Sequence, residues 1–201
     1  MVAFSKLGKL GALALAPAVL AGTLALAGPA AADAVAPAGP VSTAAQRGDQ
    51  LSLSDLTSRV MQQIHALYPH AYLVEIDGKS PDGPTTDITK VTSWTYRVND
   101  TVDSDHIFFI SVTADLDGTI GPFNIKNSIW LGSTPFTSVD MEPKRADELL
   151  KAAGYADAYQ YVTLRRPNAG GPTPHPLYIF GVEGHGYVGV DTATGEVKPM
   201  S

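Results

Sequence analysis

The sequence predicts an α+β protein built from two similar helix-plus-antiparallel-sheet repeats, each in the order helix, strand, strand, strand, with the helices packed on one face of the sheet. Three observations predict it. A helical apolar period occurs at 51–68 and again from Pro143. Each is followed by three short alternating or β-branched runs, and local identities recur between the two halves at a slowly falling offset.

Two segments precede the first repeat. Residues 1–32 carry Lys6 and Lys9, then an Ala/Leu/Gly-rich run interrupted by Pro17, then small residues ending just before Asp33. A basic start, an apolar middle and a small-residue A-x-A end are the three parts of a secretory signal. The rival reading, a membrane anchor, is disfavoured because Ala and Gly contribute little transfer energy and a cleavage site follows directly. Residues 33–50 are Ala/Pro-rich without a period and read as a flexible linker. Removing the signal would leave 169 residues of net charge −8, against 201 residues and −6 for the whole chain.

The first repeat spans 51–122. Leu53, Leu56, Val60, Ile64 and Leu67 form one face of a helix over 51–68, with Ser54 as its expected N-cap and Pro69 as its stop. Strands are expected at 71–76, at 93–98, where Trp94, Tyr96 and Val98 alternate, and at 106–114. A turn at Asp117-Gly118 closes the last. A connector covers 123–142. The second repeat, 143–201, starts with Pro143 in the first helical turn, and Ala146, Leu149, Leu150 and Ala153 form its apolar side before a Gly154 stop. Strands follow at 158–164, 177–182 and 186–191. Ala66, Tyr68, Ala71 and Tyr72 coincide with Ala153, Tyr155, Ala158 and Tyr159 at an offset of 87, and Tyr96 with Tyr178 at 82. Gly118, Ile120 and Pro122 coincide with Gly195, Val197 and Pro199 at 77, as expected if each hairpin loop is shorter in the second copy.

The C-terminal stretch LYIFGVEGHGYVGVDTATGEVKP resembles the end of a PepSY-type domain, a helix-then-strands unit finishing in a Tyr/Val-rich strand and a V-D-x-x-T-G-E-V turn. Tyr187, Val188, Val190, Asp191, Thr194, Gly195, Glu196 and Val197 stand at those positions, while the first half carries A-D-L-D-G-T-I instead. The resemblance implies a secreted or envelope module, found in peptidase propeptides and in stand-alone proteins, with a proposed role in restraining peptidases and no catalytic residues of its own. A second likeness is architectural: tandem helix-plus-sheet repeats also build the secreted β-lactamase-inhibitory proteins, which rely on cysteines that this chain lacks.

Composition narrows the chemistry. Without cysteine there is no disulfide, no thiolate metal site and no thiol nucleophile. The acidic balance argues against a nucleic-acid partner. There is no G-x-S-x-G, H-E-x-x-H or phosphate-binding glycine loop. Two polar clusters could suit an ion. Asp100, Asp103 and Asp105, placed in a hairpin loop, offer hard oxygen ligands for Ca²⁺ but read first as a solvated turn. Asp115-x-Asp117-Gly118 likewise reads as a β-turn before a calcium loop. His175, Glu183 and His185 could form a two-His-one-carboxylate site for Zn²⁺, or an exposed hairpin tip. No cofactor is implied otherwise. Tyrosines alternating onto a sheet face left open by the helices would make a partner-binding surface. Residues 33–122 hold 12 acids and 5 bases, and 123–201 hold 8 and 7, so the acidity concentrates in the first half.

The expected protein is thus a secreted, non-enzymatic binding protein, an inhibitor or modulator of an extracellular peptidase, with no membrane association after cleavage. A metal- or ligand-dependent hydrolase using the histidine cluster and a cell-wall-associated structural protein are the alternatives. The export reading predicts that N-terminal sequencing of the mature protein starts at Asp33. A chain retained in the membrane fraction and starting at Met1 would refute it.

Overall fold

The computed structural model describes residues 50–103, 106–168 and 175–200. The expected signal, 33–49 of the expected linker, and Asp105 lie outside them. The described chain is α+β, with two helices and one large antiparallel sheet.

Helix α1, Leu53–Leu67, buries Leu53, Leu56, Thr57, Val60 and Ile64, the stripe its period demands. Its N-cap is Ser52 rather than Ser54: the Ser52 hydroxyl accepts from the Asp55 amide at 3.0 Å. The reason lies 88 residues away. The Glu142 carboxylate accepts from the amides of Leu53 (2.8 Å) and Ser54 (3.1 Å), so these orphan donors at the helix start are met by a distant anion. Leu67, expected on the apolar face, is exposed where the helix ends.

Strand β1, Ala71–Lys79, runs three residues beyond its apolar core because it is paired on both sides. Gly78 lies within it for a packing reason. A Cβ there would come within 2.5 Å of the Trp94 ring, which rests on this backbone. After a short 3₁₀ turn, Ile88–Lys90, come β2 (Ser93–Asp103), β3 (His106–Asp115) and a three-residue β4 (Asn124–Lys126). The segment 123–142 is more than a connector. It supplies β4 and also β5, Ser133–Thr134.

Helix α2, Pro143–Ala152, has Pro at its first turn and Ala146 and Leu150 buried. Ala153 is exposed rather than part of the apolar side, and the buried Asp147 takes a place that the apolar period does not foresee. Asp147 is satisfied by the Tyr159 hydroxyl at 2.8 Å and by Lys151 at 2.6 Å. Gly154 follows at φ +96°, a left-handed residue that stops the helix. Then come β6 (Tyr159–Pro167), β7 (Leu177–Val182), β8 (Gly186–Asp191) and β9 (Val197–Pro199).

The strand order is β4-β3-β2-β1-β6-β7-β8-β9, with β5 pairing the end of β6. The first strand after each helix therefore meets its counterpart at the centre of the sheet, and the chain meanders outward from there on both sides. Both outer strands are three residues long, which limits the exposed edges. Across the middle runs one row of cross-strand partners, Val112, Tyr96, Ile76, Leu164, Tyr178 and Val190. All six are essentially inaccessible and belong to a single apolar core that also takes in the buried residues of both helices. At about 25 cal/mol per Å² of apolar surface removed from water, such side chains supply the driving force that disulfides cannot supply here.

The Glu142 contact makes a specific prediction. Glu142→Ala should lower the unfolding free energy by about 1–2 kcal/mol, because it strips two helix amides of their acceptor. Urea denaturation checks this, and a variant that unfolds like the wild type would show that the contact contributes nothing.

Candidate functional site

The sequence-selected polar residues do not gather. His175 precedes β7 and bonds through Nδ1 to Asp191 Oδ2 at 3.3 Å. Glu183 and His185 lie in the β7–β8 turn at the other end of that hairpin, roughly 17 Å or more away at ~3.3 Å per residue. His185 pairs instead with Asp157 at 3.0 Å, with its ring against the edge of Tyr155. The proposed convergence of His175 with Glu183 and His185 across the hairpin is therefore corrected. Six paired residues in each strand hold the two ends apart.

The hairpin-loop placement expected for Asp100 and Asp103 is corrected as well, while Asp105 lies outside the described residues. Strand pairing continues to Asp103 opposite His106, so Asp100 and Asp103 belong to β2. Asp100 is buried, and its Oδ1 has no hydrogen-bond partner among the described residues. Among the described residues no three His, Asp or Glu side chains are grouped to hold a metal ion.

The V-D-x-x-T-G-E-V turn has a clear structural task. Asp191 Oδ1 accepts from the amides of Ala193 (2.9 Å) and Thr194 (2.8 Å), and Gly195 at φ +73° closes the turn on the Asp191 carbonyl at 2.9 Å. Burial alone would raise the Asp191 carboxyl. The Thr194 and Ala193 amides and the His175 ring outweigh it, and the group is held below the usual aspartate value. The corresponding turn of the first half uses Asp117, which accepts from the Thr119 amide at 2.8 Å, with Gly118 at φ +93°.

The functional geometry is on the sheet face opposite the buried row. There Glu75, Asp77, Arg97 and Arg165 come together on β1, β2 and β6. Arg97 pairs with both Glu75 and Asp77, and Arg165 reaches Glu75 at 3.4 Å. Glu75 also accepts from Ser133 Oγ at 3.2 Å and lies 3.4 Å from the Trp130 indole nitrogen. Trp130 stacks on Phe109 with ring centroids 5.4 Å apart, and the Arg97 guanidinium lies 4.5 Å from its ring. Asn99 clamps the Trp130 backbone at both N–H (2.8 Å) and C=O (3.0 Å). The segment 123–142 thereby covers this face over the first half.

Over the second half the same face carries a groove of about 560 Å³. Its floor is Thr163, Arg165 and Pro167 of β6 with Leu177, Ile179 and Gly181 of β7. Tyr161 and Tyr187 stand at one side, Lys198, Pro199 and Met200 at the sheet edge, and Glu75 at the inner end. Tyr161 and Tyr187 are more than half exposed, at 52% and 64%. The Tyr187 ring lies beside Gly181, close enough that a Cβ there would make an ordinary contact at 3.7 Å. No protein-family model, no curated protein and no solved structure matches this chain.

The tyrosines buried in the core are protonated donors. Burial, with the Asp147 hydrogen bond and charge behind it, pushes Tyr159 far up, and burial dominates for Tyr96 and Tyr178. Sequence reasoning named tyrosines on an open face but missed Glu75, Arg97, Arg165 and Trp130. The alternation of Tyr161, Thr163 and Arg165 was the available signal, and it points to one face only once β6 is known to be buried on the other.

The lowered Asp191 carboxyl predicts a pH effect of definite sign. A depressed carboxyl contributes stability above the usual aspartate value, near 3.8, and loses it as pH falls through the lower folded value. Asp191→Asn should cost about 1 kcal/mol at neutral pH and flatten the acid side of the stability profile. Denaturant midpoints measured across the acid range decide it, and an unchanged profile would refute the assignment.

Proposed function

We propose that this chain is an exported, non-enzymatic binding protein that engages a protein partner across the sheet face carrying the groove, with a secreted peptidase as the partner class to test first. One observation carries the reading. Two exposed tyrosines flank a groove on a face whose Glu75 and Asp77 carboxylates are already paired. Tyr and Trp are the side chains that most often anchor protein interfaces, because they bury a large area at small entropic cost.

We infer also that the chain is a duplicated PepSY-like unit whose two helices cover one face. The palindromic strand order supports this. So does the row in which Tyr96 and Tyr178, matched in the sequence, flank the central Ile76–Leu164 pair. Tyr96 Oη meets Thr57 of α1 at 3.2 Å, and Tyr178 Oη meets the Met141 carbonyl before α2 at 2.7 Å, which supports both helices lying on the side of that row. Duplication accounts for one groove rather than two, because the inter-repeat segment with Trp130 occupies the outer face of the first half.

A panel of secreted metallo- and serine peptidases, assayed with near-stoichiometric protein, tests the reading. Inhibition is expected for at least one, and Tyr161→Ser with Tyr187→Ser should weaken it by about 2 kcal/mol or more while leaving the unfolding free energy within ~0.5 kcal/mol. Inhibition that survives the double substitution would place the interface elsewhere. A wholly unaffected panel would remove the peptidase and leave the binding surface to be tested with other partners.

A further inference from the structure

The charges of the groove are unevenly committed. Glu75, the acid at its inner end, is almost fully buried and shared between Arg97 and Arg165, so it offers little to a ligand. Arg165 is different. Its polar contact is made through Nη1, at 3.4 Å from Glu75, and its Nε is buried without a partner. Its side chain is about a third exposed, at 36%, on the groove floor. Because Nε is closed to solvent, a ligand in the groove meets the exposed part of this cation, whose charge Glu75 shares with Arg97 and so offsets only in part. Lys198 faces the same groove, held only by Glu196 at 3.8 Å in an exposed pair, and Lys79 lies 5.8 Å from the Tyr161 ring. On a chain of net charge −6 this groove is a local excess of cations with apolar walls.

We propose that the groove recognises a carboxylate side chain flanked by apolar residues on an extended segment of the protein partner. The carboxylate docks on Arg165, with Lys198 contributing from the sheet edge. The exposed Tyr161 and Tyr187 rings, with Pro199 and Met200 at the sheet edge, receive the flanking side chains. The proposal rests on the binding face assigned above and adds the chemistry that this face selects. Excess positive charge favours an acid over its amide. The exposed aromatic walls favour a peptide over a free small anion, which would leave the Tyr161 and Tyr187 rings uncovered. Arg97 already neutralises Glu75, so a second carboxylate can enter without meeting an unpaired one.

The probe is an acetylated, amidated Leu-Glu-Leu tripeptide, titrated into the mature protein and followed by backbone amide shifts in NMR, with Leu-Gln-Leu and Leu-Lys-Leu forms as controls. The glutamyl peptide should shift the amides of Thr163, Arg165 and Ile179 saturably and bind at least about tenfold more tightly than the glutaminyl one. Arg165→Gln should remove that preference, and Lys198→Gln, at an exposed site, should reduce it while leaving the spectrum folded. Equal binding of the glutamyl and glutaminyl peptides in the groove would overturn carboxylate recognition and leave the binding face standing. Shifts by none of the peptides, or shifts confined to other surfaces, would overturn both.

Discussion

The antiparallel pairing of β1 with β6 is the contact on which the rest of this protein depends. It joins residues about ninety positions apart, such as Glu75 and Arg165, and places Ile76 against Leu164 at the centre of the sheet. Neither strand can be satisfied without the other, because an unpaired central strand would bury backbone donors and acceptors at a cost of roughly 1–3 kcal/mol each. Pairing here also fixes which face each outer strand presents. A slip of one residue here would turn one half over relative to the other, so that with the first half in place Tyr178 would face outward and Arg165 would enter the apolar core.

The same constraint explains how a chain without cysteine is held. The two halves share one apolar core across the seam, and Glu142 ties the start of α2 to the start of α1. Buried polar atoms are mostly answered within this frame. Tyr159 and Lys151 satisfy Asp147, Thr57 meets Tyr96, and Tyr178 bonds the Met141 carbonyl. The exceptions are few, and Trp94 Nε1 and Asp100 Oδ1 are among them. Long-range pairing of this kind raises contact order, so the folding of this chain is governed by closing the seam rather than by its helices.

Much of the fold was legible because its signals are local. The strands at 177–182 and 186–191 coincide with the periods that predict them, and Pro143 and Gly154 bracket α2 as helix chemistry requires. What escaped was set by partners far along the chain. Ser52 caps α1 because Glu142 takes the Leu53 and Ser54 amides. Asp100 is buried because β2 pairs with β3 almost to the loop, and β4, β5 and β9 are too short to show a period. The site was least legible of all. Its residues come from four strands and the sheet edge, and each reads in isolation as an ordinary surface position. Histidines and acids attract attention in a sequence, yet in this fold they serve turns and hairpin ends.

The carboxylates of the outer face are tied into ion pairs and hydrogen bonds with their strand neighbours. A general acid or base needs a titratable group that can exchange a proton with substrate near the working pH. Here Glu75 and Asp77 share Arg97, and Thr163 donates to Asp77 at 2.7 Å. Fixed ion pairs of that kind make a rigid, pre-organised floor, which lowers the entropy lost when a partner docks. Arg165, a third exposed beside the Tyr161 and Tyr187 rings, is the cation of that floor that a docking partner would meet.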